Sequence, residues 1–174
     1  ASHSHVTDTP DFFRRQHMHY PEHGHRFTGL PSYLAHTQGA TEALMSSMKT
    51  QPSDYDWAVF HQPNPKFPRR IAHALGFTDE QILPGMVVDS IGNTYSGSSL
   101  LGLAAVLDVA KKGDRIFFCS YGSGAGSDAF SLVVNGRLAS TRANAPVVSD
   151  YLDRAHVIDD YGQYLRLSRK IRLL

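Results

Sequence analysis

A histidine directly follows a short apolar run near the middle of the chain. The run 57–60 reads Trp-Ala-Val-Phe, His61 comes next, and the Gln-Pro-Asn-Pro stretch 62–65 then stops any regular strand. Open α/β sheets bind their ligands beyond the carboxyl ends of the strands, so this order puts an imidazole at such a position. A single histidine at a strand end is more often a structural residue. His61 therefore indicates a site only if other polar groups lie beside it.

Two loops that contain glycine offer such groups. The segment 92–97 reads Gly-Asn-Thr-Tyr-Ser-Gly, and the segment 120–124 reads Ser-Tyr-Gly-Ser-Gly. Each follows an apolar run or precedes a helical pattern, and glycine lets a backbone approach a ligand closely. The side chains of His61 and Asn93 could both donate to a carbonyl oxygen that gains negative charge, and one such donor contributes roughly 2.7–4 kcal/mol. The alternative for a glycine loop is a plain turn.

The composition is that of a globular domain without a strong charge bias. The 174 residues carry a formal net charge of +1, with 41% hydrophobic and 19% charged residues. This length suits one domain. The near-neutral charge argues against binding to nucleic acid or to a membrane surface, and the apolar runs fall far short of the ~20 residues of a membrane-spanning helix. The single cysteine, Cys119, excludes an internal disulfide and favours a reducing, cytoplasmic location.

The elements that must position these groups form an α/β pattern. We divide the chain into an irregular lead-in over 1–30, an α/β core over 31–142 and a helical tail over 143–174. In the core, apolar residues at 3/4 spacing predict helices, and continuous apolar runs predict strands that are buried on both faces. The predicted helices are 31–50, 68–75 and 100–111, and the predicted strands are 56–61, 115–121 and 129–134.

Shorter features complete this pattern. Two apolar runs joined by the glycine loop predict that 115–121 and 129–134 are antiparallel neighbours. The Asn-Gly pair 135–136 favours a turn with positive φ, and 86–88 favours a short strand or extended segment. In the tail, two amphipathic helices are predicted over 148–154 and 159–171.

Three His-x-His pairs raise the question of a metal site. In a strand, residues two apart face the same side, so such a pair can bind zinc. No cysteine and no downstream His-x-x-x-His sequence completes a tetrahedral set, so we expect no metal site. The pairs are His3/His5, His17/His19 and His23/His25.

Several motifs, taken in order, point to a known family. The stretch 61–64 resembles the His-Gln-Ala-Asn motif of type III β-ketoacyl synthases, and 92–94 resembles their Gly-Asn-Thr motif. The stretches 7–15, 93–98 and 118–124 resemble 3-hydroxy-3-methylglutaryl-CoA (HMG-CoA) synthases, above all the archaeal type. Both families belong to the thiolase-like superfamily. The resemblance spans nearly the whole chain, and it is the combination of motifs that is specific.

The resemblance implies the fold and the reaction. The fold would be a thiolase-like half, a mixed five-stranded sheet with helices on its faces that forms one half of an α-β-α-β-α sandwich. The reaction would join acetyl-CoA to acetoacetyl-CoA in the mevalonate pathway, with these two thioesters as substrates and no further cofactor. In this family a cysteine is acetylated, a glutamate removes a proton from the acetyl methyl group, and the carbanion attacks the ketone.

The resemblance also implies roles for individual residues. His61 would contact the acetoacetyl group and help to manage charge on its oxygen, and Asn93 would hydrogen-bond the same group. Tyr95 and Ser123 would line the acyl pocket. Two further residues would contact CoA; these are Asn64 and Lys66.

The family's nucleophilic cysteine and catalytic glutamate belong to an N-terminal half that this chain lacks. Cys119 cannot replace the nucleophile because it stands inside an apolar strand, where a thiol is inert. The sequence begins Ala-Ser-His without methionine, which favours a piece of a longer polypeptide, although a separately encoded half is also possible. We expect no condensing activity from this chain alone.

The resemblance further implies partners and leaves alternatives open. The partners would be an N-terminal half, a second copy in a homodimer, and, as in archaeal relatives, an acetoacetyl-CoA thiolase and a small OB-fold protein. One alternative is a type III β-ketoacyl synthase-like acyltransferase that uses an acyl-carrier protein or malonyl donor. The other is a non-catalytic half that binds CoA esters.

Overall fold

A mixed four-stranded sheet between two layers of helices forms the centre of the molecule. The computed structural model describes residues 1–124 and 126–171. The strands are β1 (Ser2–Val6), β2 (Phe12–Phe13), β3 (Glu22–His23), β4 (Trp57–Phe60), β5 (Arg115–Cys119) and β6 (Gly126–Val133). The helices are α1 (Ala35–Met48), α2 (Lys66–Leu75), α3 (Asp79–Ile82), α4 (Val88–Ile91), α5 (Ser98–Val109), α6 (Leu138–Arg142), α7 (Val148–Asp153) and α8 (Tyr161–Leu167).

The main sheet has the strand order β1-β6-β5-β4. Strands β4 and β5 run parallel, with Phe60 opposite Cys119, whereas β6 is antiparallel to both of its neighbours. The predicted antiparallel pairing of the last two strands is therefore correct. The described residues contribute four strands to this sheet, one fewer than the family fold led us to expect, and β2 and β3 form a separate two-stranded ribbon.

Alternate residues of the central strands enter two different hydrophobic cores. Phe60 and Phe117 pack in a core shared with α1, α2 and α3. Val59, Ile116 and Phe118 pack on the opposite face with α5. Because helices cover both faces, β4 and β5 are apolar throughout, as the continuous runs predicted. The result is an α/β half-domain of three layers, α-β-α.

The lead-in is more regular than the sequence indicated. Its first residues form β1, which pairs with β6 from Ser2 opposite Phe130 to Val6 opposite Gly126. The prediction of an irregular segment over 1–30 was wrong here because β1 is an exposed edge strand whose polar residues give no apolar signal. Gly126 is required at this contact, since a Cβ atom there would collide with the backbone carbonyl of His5.

Two local predictions also need correction. The segment 86–88 is not a strand, because a 3₁₀ turn at Leu83–Gly85 leads directly into α4. At 135–136 neither residue has positive φ. Instead, the side-chain oxygen of Asn135 accepts a hydrogen bond from the Arg137 N–H at 2.9 Å, so the turn is held by a side chain.

The predicted helices are present with shifted ends. A π-helical turn at Gly29–Leu34 leads into α1, and α5 begins at Ser98 rather than at residue 100. In the tail, α7 and α8 correspond to the two predicted amphipathic pieces. Ala125 of the glycine loop and residues 172–174 of the predicted tail lie outside the described residues. No helix in the described ranges has the length and apolar run needed to cross a membrane.

Candidate acyl-binding site

The carboxyl ends of β4 and β5 meet at one edge of the sheet. The N–H of His61 donates to the carbonyl of Cys119 at 3.0 Å, so the ladder between the two strands continues one residue beyond β4. His61 and the loop 120–124 therefore emerge side by side, because parallel strands end at the same edge.

A cavity of about 380 Å³ opens at this edge. It brings together four residues that the sequence singled out, namely His61, Asn93, Tyr95 and Ser123. The other described residues that line it are Phe12, His23, Thr28, Tyr33, Pro63, Phe67, Ser96, Tyr121 and Gly122. A largely apolar wall with a few convergent polar groups is typical of a small-molecule site.

His61 lies at the inner wall of this cavity and is 9% exposed. Its ring centroid is 6.2 Å from that of Tyr33 and 6.0 Å from that of Tyr121, and its carbonyl accepts a hydrogen bond from the Tyr33 hydroxyl at 2.6 Å. Burial lowers the pKa of His61 to about 4. The imidazole is therefore neutral at pH 7, so one ring nitrogen donates and the other accepts.

The loop 92–97 contributes an amide and a tyrosine on the exposed side. The side-chain oxygen of Asn93 accepts a hydrogen bond from the Tyr95 N–H at 2.7 Å, which leaves the Asn93 NH₂ group as a donor. Tyr95 is 75% exposed and has a left-handed backbone with φ 53°. Such a conformation costs an aromatic residue about 1–3 kcal/mol, and strain of this kind concentrates at functional sites.

The loop 120–124 is held by a buried carboxylate that the sequence reasoning did not assign. Asp11 is fully buried, and its oxygens accept hydrogen bonds from the Tyr121 hydroxyl at 2.7 Å and from the Gly124 N–H. Burial raises the pKa of Tyr121, and the bond to Asp11 raises it further. Tyr121 therefore stays protonated and keeps donating to Asp11, which fixes the loop that carries Ser123.

Comparison with known proteins places the chain in a family. Residues 45–134 match the family model described as 3-oxoacyl-[acyl-carrier-protein] synthase III C terminal. The chain belongs to this synthase III C-terminal family. The match covers the central strands, the cavity edge and the glycine loop.

Several curated relatives of this family member are archaeal proteins. It is 58% identical over 170 residues to the hydroxymethylglutaryl-CoA synthase of Methanococcoides burtonii and 55% identical over 170 residues to that of Pyrococcus furiosus. Each alignment covers 98% of this chain but 48% of the relative, so the chain spans about half the length of the curated relatives that it matches. The predicted resemblance to this group is confirmed.

Solved structures support the thiolase-like fold. The structure of MvaS in complex with 3-hydroxy-3-methylglutaryl coenzyme A matches with a TM-score of 0.77 at 22% identity, covering 97% of this chain and 49% of that one. The curacin-pathway HMG synthase in complex with acetyl donor-ACP matches with a TM-score of 0.78 at 21% identity, covering 95% and 44%. The predicted fold class, a thiolase-like half, is confirmed.

The two residues with a predicted role in CoA binding, Asn64 and Lys66, do not line the cavity of this synthase III C-terminal domain. The side-chain oxygen of Asn64 accepts hydrogen bonds from the N–H groups of Lys66 at 2.9 Å and Phe67 at 3.1 Å, so it caps the start of α2. Lys66 is exposed at the first position of this helix. Contact of either residue with CoA stays a prediction.

The cysteine of this domain does not reach the site. Cys119 is fully buried at the end of β5, and burial raises its pKa to about 12. The thiol is therefore protonated at neutral pH and shielded from substrate, as the sequence predicted. Within the described ranges, no group of three or more His, Cys, Asp or Glu side chains is arranged to hold a metal ion.

Residues that the sequence reasoning missed supply much of the cavity wall. Tyr33 stands at the start of a helix, where its spacing marked it only as a core residue. Phe12 and His23 come from the ribbon β2–β3, which was expected to be irregular. Asp11 gave one usable signal, since an aspartate directly before two phenylalanines is a charged residue in an apolar setting.

Proposed function

We propose that this chain is the C-terminal half of an HMG-CoA synthase and supplies the acetoacetyl-binding side of its active site. The observation that carries this proposal is the meeting of His61 and Asn93 at one cavity, in a chain with hydroxymethylglutaryl-CoA synthases as relatives. The reaction is the condensation of acetyl-CoA with acetoacetyl-CoA in the mevalonate pathway. The substrates are CoA thioesters, and no cofactor is required.

The two polar groups act on the ketone of acetoacetyl-CoA. An acetyl carbanion forms the new carbon–carbon bond, and the π electrons of the ketone move onto its oxygen. The neutral imidazole of His61 and the free amide of Asn93 donate hydrogen bonds to that oxygen as it becomes negative. Each such donor lowers the barrier by roughly 2.7–4 kcal/mol. Tyr95 and Ser123 line the acyl pocket on either side.

The nucleophile and the base come from a second half. The single cysteine of the chain is buried in a strand, so the thiol that carries the acetyl group belongs elsewhere. One side of α5 supports a docking surface for that half, because Leu100 on this side is 61% exposed. Next to it, Leu103 and Leu107 line a shallow, mostly apolar cavity of about 300 Å³.

Further predictions follow from the same family and are part of this proposal. The whole enzyme is a homodimer in the cytoplasm, and an acetoacetyl-CoA thiolase and a small OB-fold protein associate with it. Lys66 and Asn64 contact CoA at the start of α2, where a lysine acts as a point-charge partner for phosphate.

A coupled assay of CoA release tests the proposed function. The chain alone should give no turnover, and the chain combined with a half that supplies Cys and Glu should condense acetyl-CoA with acetoacetyl-CoA. In that complete enzyme, His61→Ala should lower kcat by about 10²-fold, because one donor to the oxyanion is lost. His73→Ala is the matched control, since His73 lies outside the cavity and pairs with Asp79 at 2.9 Å. Normal turnover by the isolated chain, or full activity of His61→Ala, would contradict the proposal.

A type III β-ketoacyl synthase activity is the second candidate. It is favoured by the matching family model, which is that of 3-oxoacyl-[acyl-carrier-protein] synthase III. Comparing turnover with acetoacetyl-CoA and with malonyl thioesters separates the two reactions. Binding of CoA esters without turnover, even after the other half is added, would instead indicate a non-catalytic binding half.

A further inference from the structure

Gln62 follows His61 in the motif, and the proposed mechanism gives it no role. Its side chain is 2% exposed, yet each of its polar groups has a partner. The side-chain NH₂ donates to the carbonyl of Gly85 at 2.5 Å, and the side-chain oxygen accepts from the Val88 N–H at 3.0 Å. The backbone N–H of Gln62 donates to the hydroxyl of Ser98 at 2.8 Å.

These three bonds hold both ends of the segment that carries Asn93. Val88 is the first residue of α4, which ends at Ile91, two residues before Asn93. Ser98 is the first residue of α5, three residues after Tyr95. The residue next to His61 therefore tethers the loop 92–97 at its beginning and at its end.

The loop itself has few other restraints. Residues 92–96 are all exposed, and the side-chain bond found inside the loop joins Asn93 to the Tyr95 N–H. Its position is consequently set at its ends, where the tether acts.

The neighbouring helix leaves room for the Gln62 amide. A Cβ atom added at Gly102 of α5 would lie 2.5 Å from the side-chain nitrogen of Gln62 and 2.8 Å from the carbonyl oxygen of Gly85. Only glycine lets α5 approach this closely, so the amide, the Gly85 turn and α5 are packed as one unit.

We propose that Gln62 is a positioning residue that sets the separation between the His61 imidazole and the Asn93 amide. This inference rests on the proposed function, because the separation matters if both groups bind the same acyl oxygen. A side-chain amide suits this position because the Gly85 carbonyl needs a donor and the Val88 N–H needs an acceptor. A glutamate would face the Gly85 carbonyl with a second acceptor, and a methionine would leave a buried carbonyl and a buried N–H without partners.

The test compares Gln62→Met and Gln62→Glu with a matched glutamine elsewhere. Gln81 makes a similar set of bonds, donating to the carbonyls of Pro52 at 3.0 Å and Tyr55 at 2.6 Å and accepting from the Thr78 N–H at 2.8 Å. It does not line the cavity. Gln81→Met therefore measures how much stability is lost when a bridging amide is removed away from the cavity.

The first measurement is amide hydrogen exchange on the chain itself, which does not depend on any activity. Gln62→Met removes the two side-chain bonds and keeps the backbone bond to Ser98, so it should speed exchange at least tenfold across 88–92. Gln81→Met should leave that segment unchanged. The second is steady-state kinetics of the complete enzyme. Gln62→Met should lower kcat for condensation at least tenfold and raise the KM for acetoacetyl-CoA several-fold, while acetylation of the second half by acetyl-CoA alone falls less than threefold. Gln62→Glu should be impaired in the same direction, and Gln81→Met should keep kcat within twofold.

The outcomes separate the two levels of the proposal. If the wild-type enzyme does not condense the two thioesters, the proposed function is wrong. If Gln62→Met nevertheless shows faster exchange, the tether is still supported. Equal kinetics of Gln62→Met and Gln81→Met at matched denaturation midpoints overturns the positioning role. If Gln62→Met does not fold, Gln62→Glu replaces it, since the glutamate keeps an acceptor for the Val88 N–H. An unchanged ratio of condensation to acetylation in Gln62→Glu would equally overturn the proposal.

Discussion

The two loops that flank His61 are held in opposite ways. Loop 120–124 is fastened from below by the buried carboxylate of Asp11, which binds both the Tyr121 hydroxyl and the Gly124 N–H. Loop 92–97 is exposed, is restrained at its ends, and contains a tyrosine with a left-handed backbone. One side of the cavity is thus a fixed wall, and the other is an exposed loop with a tyrosine in a strained backbone conformation. The difference indicates that the exposed loop is the wall of the cavity with the fewer tertiary restraints.

The strongest test of the fixed wall removes its fastening. Asp11→Ala should lower the free energy of unfolding by about 3 kcal/mol, because the Tyr121 hydroxyl and the Gly124 N–H both lose the buried carboxylate that accepts from them. Denaturant unfolding measures this loss. Asp8→Ala is the control, since Asp8 is exposed on the same segment and should change stability by less than about 0.5 kcal/mol. Equal stability of the two variants would remove the distinction between the loops.

The pH dependence of stability tests whether His61, which lies between the two loops, is buried. Its pKa in the fold, about 4, lies below the ordinary value of 6.5, so the unfolded chain binds a proton more readily between these values. The contribution is fully present above pH 6.5 and is lost as the pH falls towards 4, with a total of about 3 kcal/mol. Unfolding measured from pH 7.5 to 4 should show this loss in the wild type and a smaller one in His61→Gln. An equal slope in both proteins would contradict the burial of the imidazole.

A glycine at the strained position tests the other loop. Tyr95→Gly should raise the free energy of unfolding by about 1 kcal/mol, because glycine adopts positive φ without the steric cost that tyrosine bears. The same change should weaken binding of the acyl group by removing an aromatic wall of the cavity. Thermal unfolding and the KM for acetoacetyl-CoA in the complete enzyme measure the two effects. Loss of stability would mean that the loop is not strained, and the contrast with loop 120–124 would fail.

An effect of similar size and opposite sign is expected outside both loops. Asn64→Ala should lower the free energy of unfolding by about 1 kcal/mol, because two N–H groups in the first turn of α2 lose their side-chain acceptor. Asn64→Asp keeps an oxygen for the same two N–H groups and should restore most of the stability. If the KM for CoA thioesters rises in Asn64→Ala and remains raised in Asn64→Asp, the predicted contact of Asn64 with CoA gains support beyond its capping role.

Sequence patterns identified the helices and strands whose conformation is encoded by residues close together in the sequence. The apolar runs of β4 and β5 and the 3/4 spacing of α1 and α5 were read correctly because burial on both faces or on one stripe leaves a regular pattern. The strand β1 was missed because an exposed edge strand needs no apolar residues. The segment at Val88 was misread because its N–H bonds to a side chain 26 residues earlier rather than to a strand.

Four of the six residues predicted for the site come together in the fold, and their roles stay predictions. His61, Asn93, Tyr95 and Ser123 were chosen from motifs, and the fold brings them to one cavity. The fastening by Asp11 could not be foreseen, because it joins residues 110 and 113 positions apart in the chain. The same holds for the bonds from Gln62, which join it to Gly85, Val88 and Ser98, 23 to 36 positions further along the chain.

By itself, the sequence determined the family, the class of fold and the identity of the polar groups, because these follow from local patterns and from motifs of fixed spacing. It also determined that the single thiol, inside an apolar strand, is not a nucleophile. The tertiary structure alone decided that His61 is neutral, that one loop is fixed and the other strained, and that Gln62 ties the second loop to the strand. These properties depend on burial and on hydrogen bonds between distant residues, and neither is determined until the chain has folded.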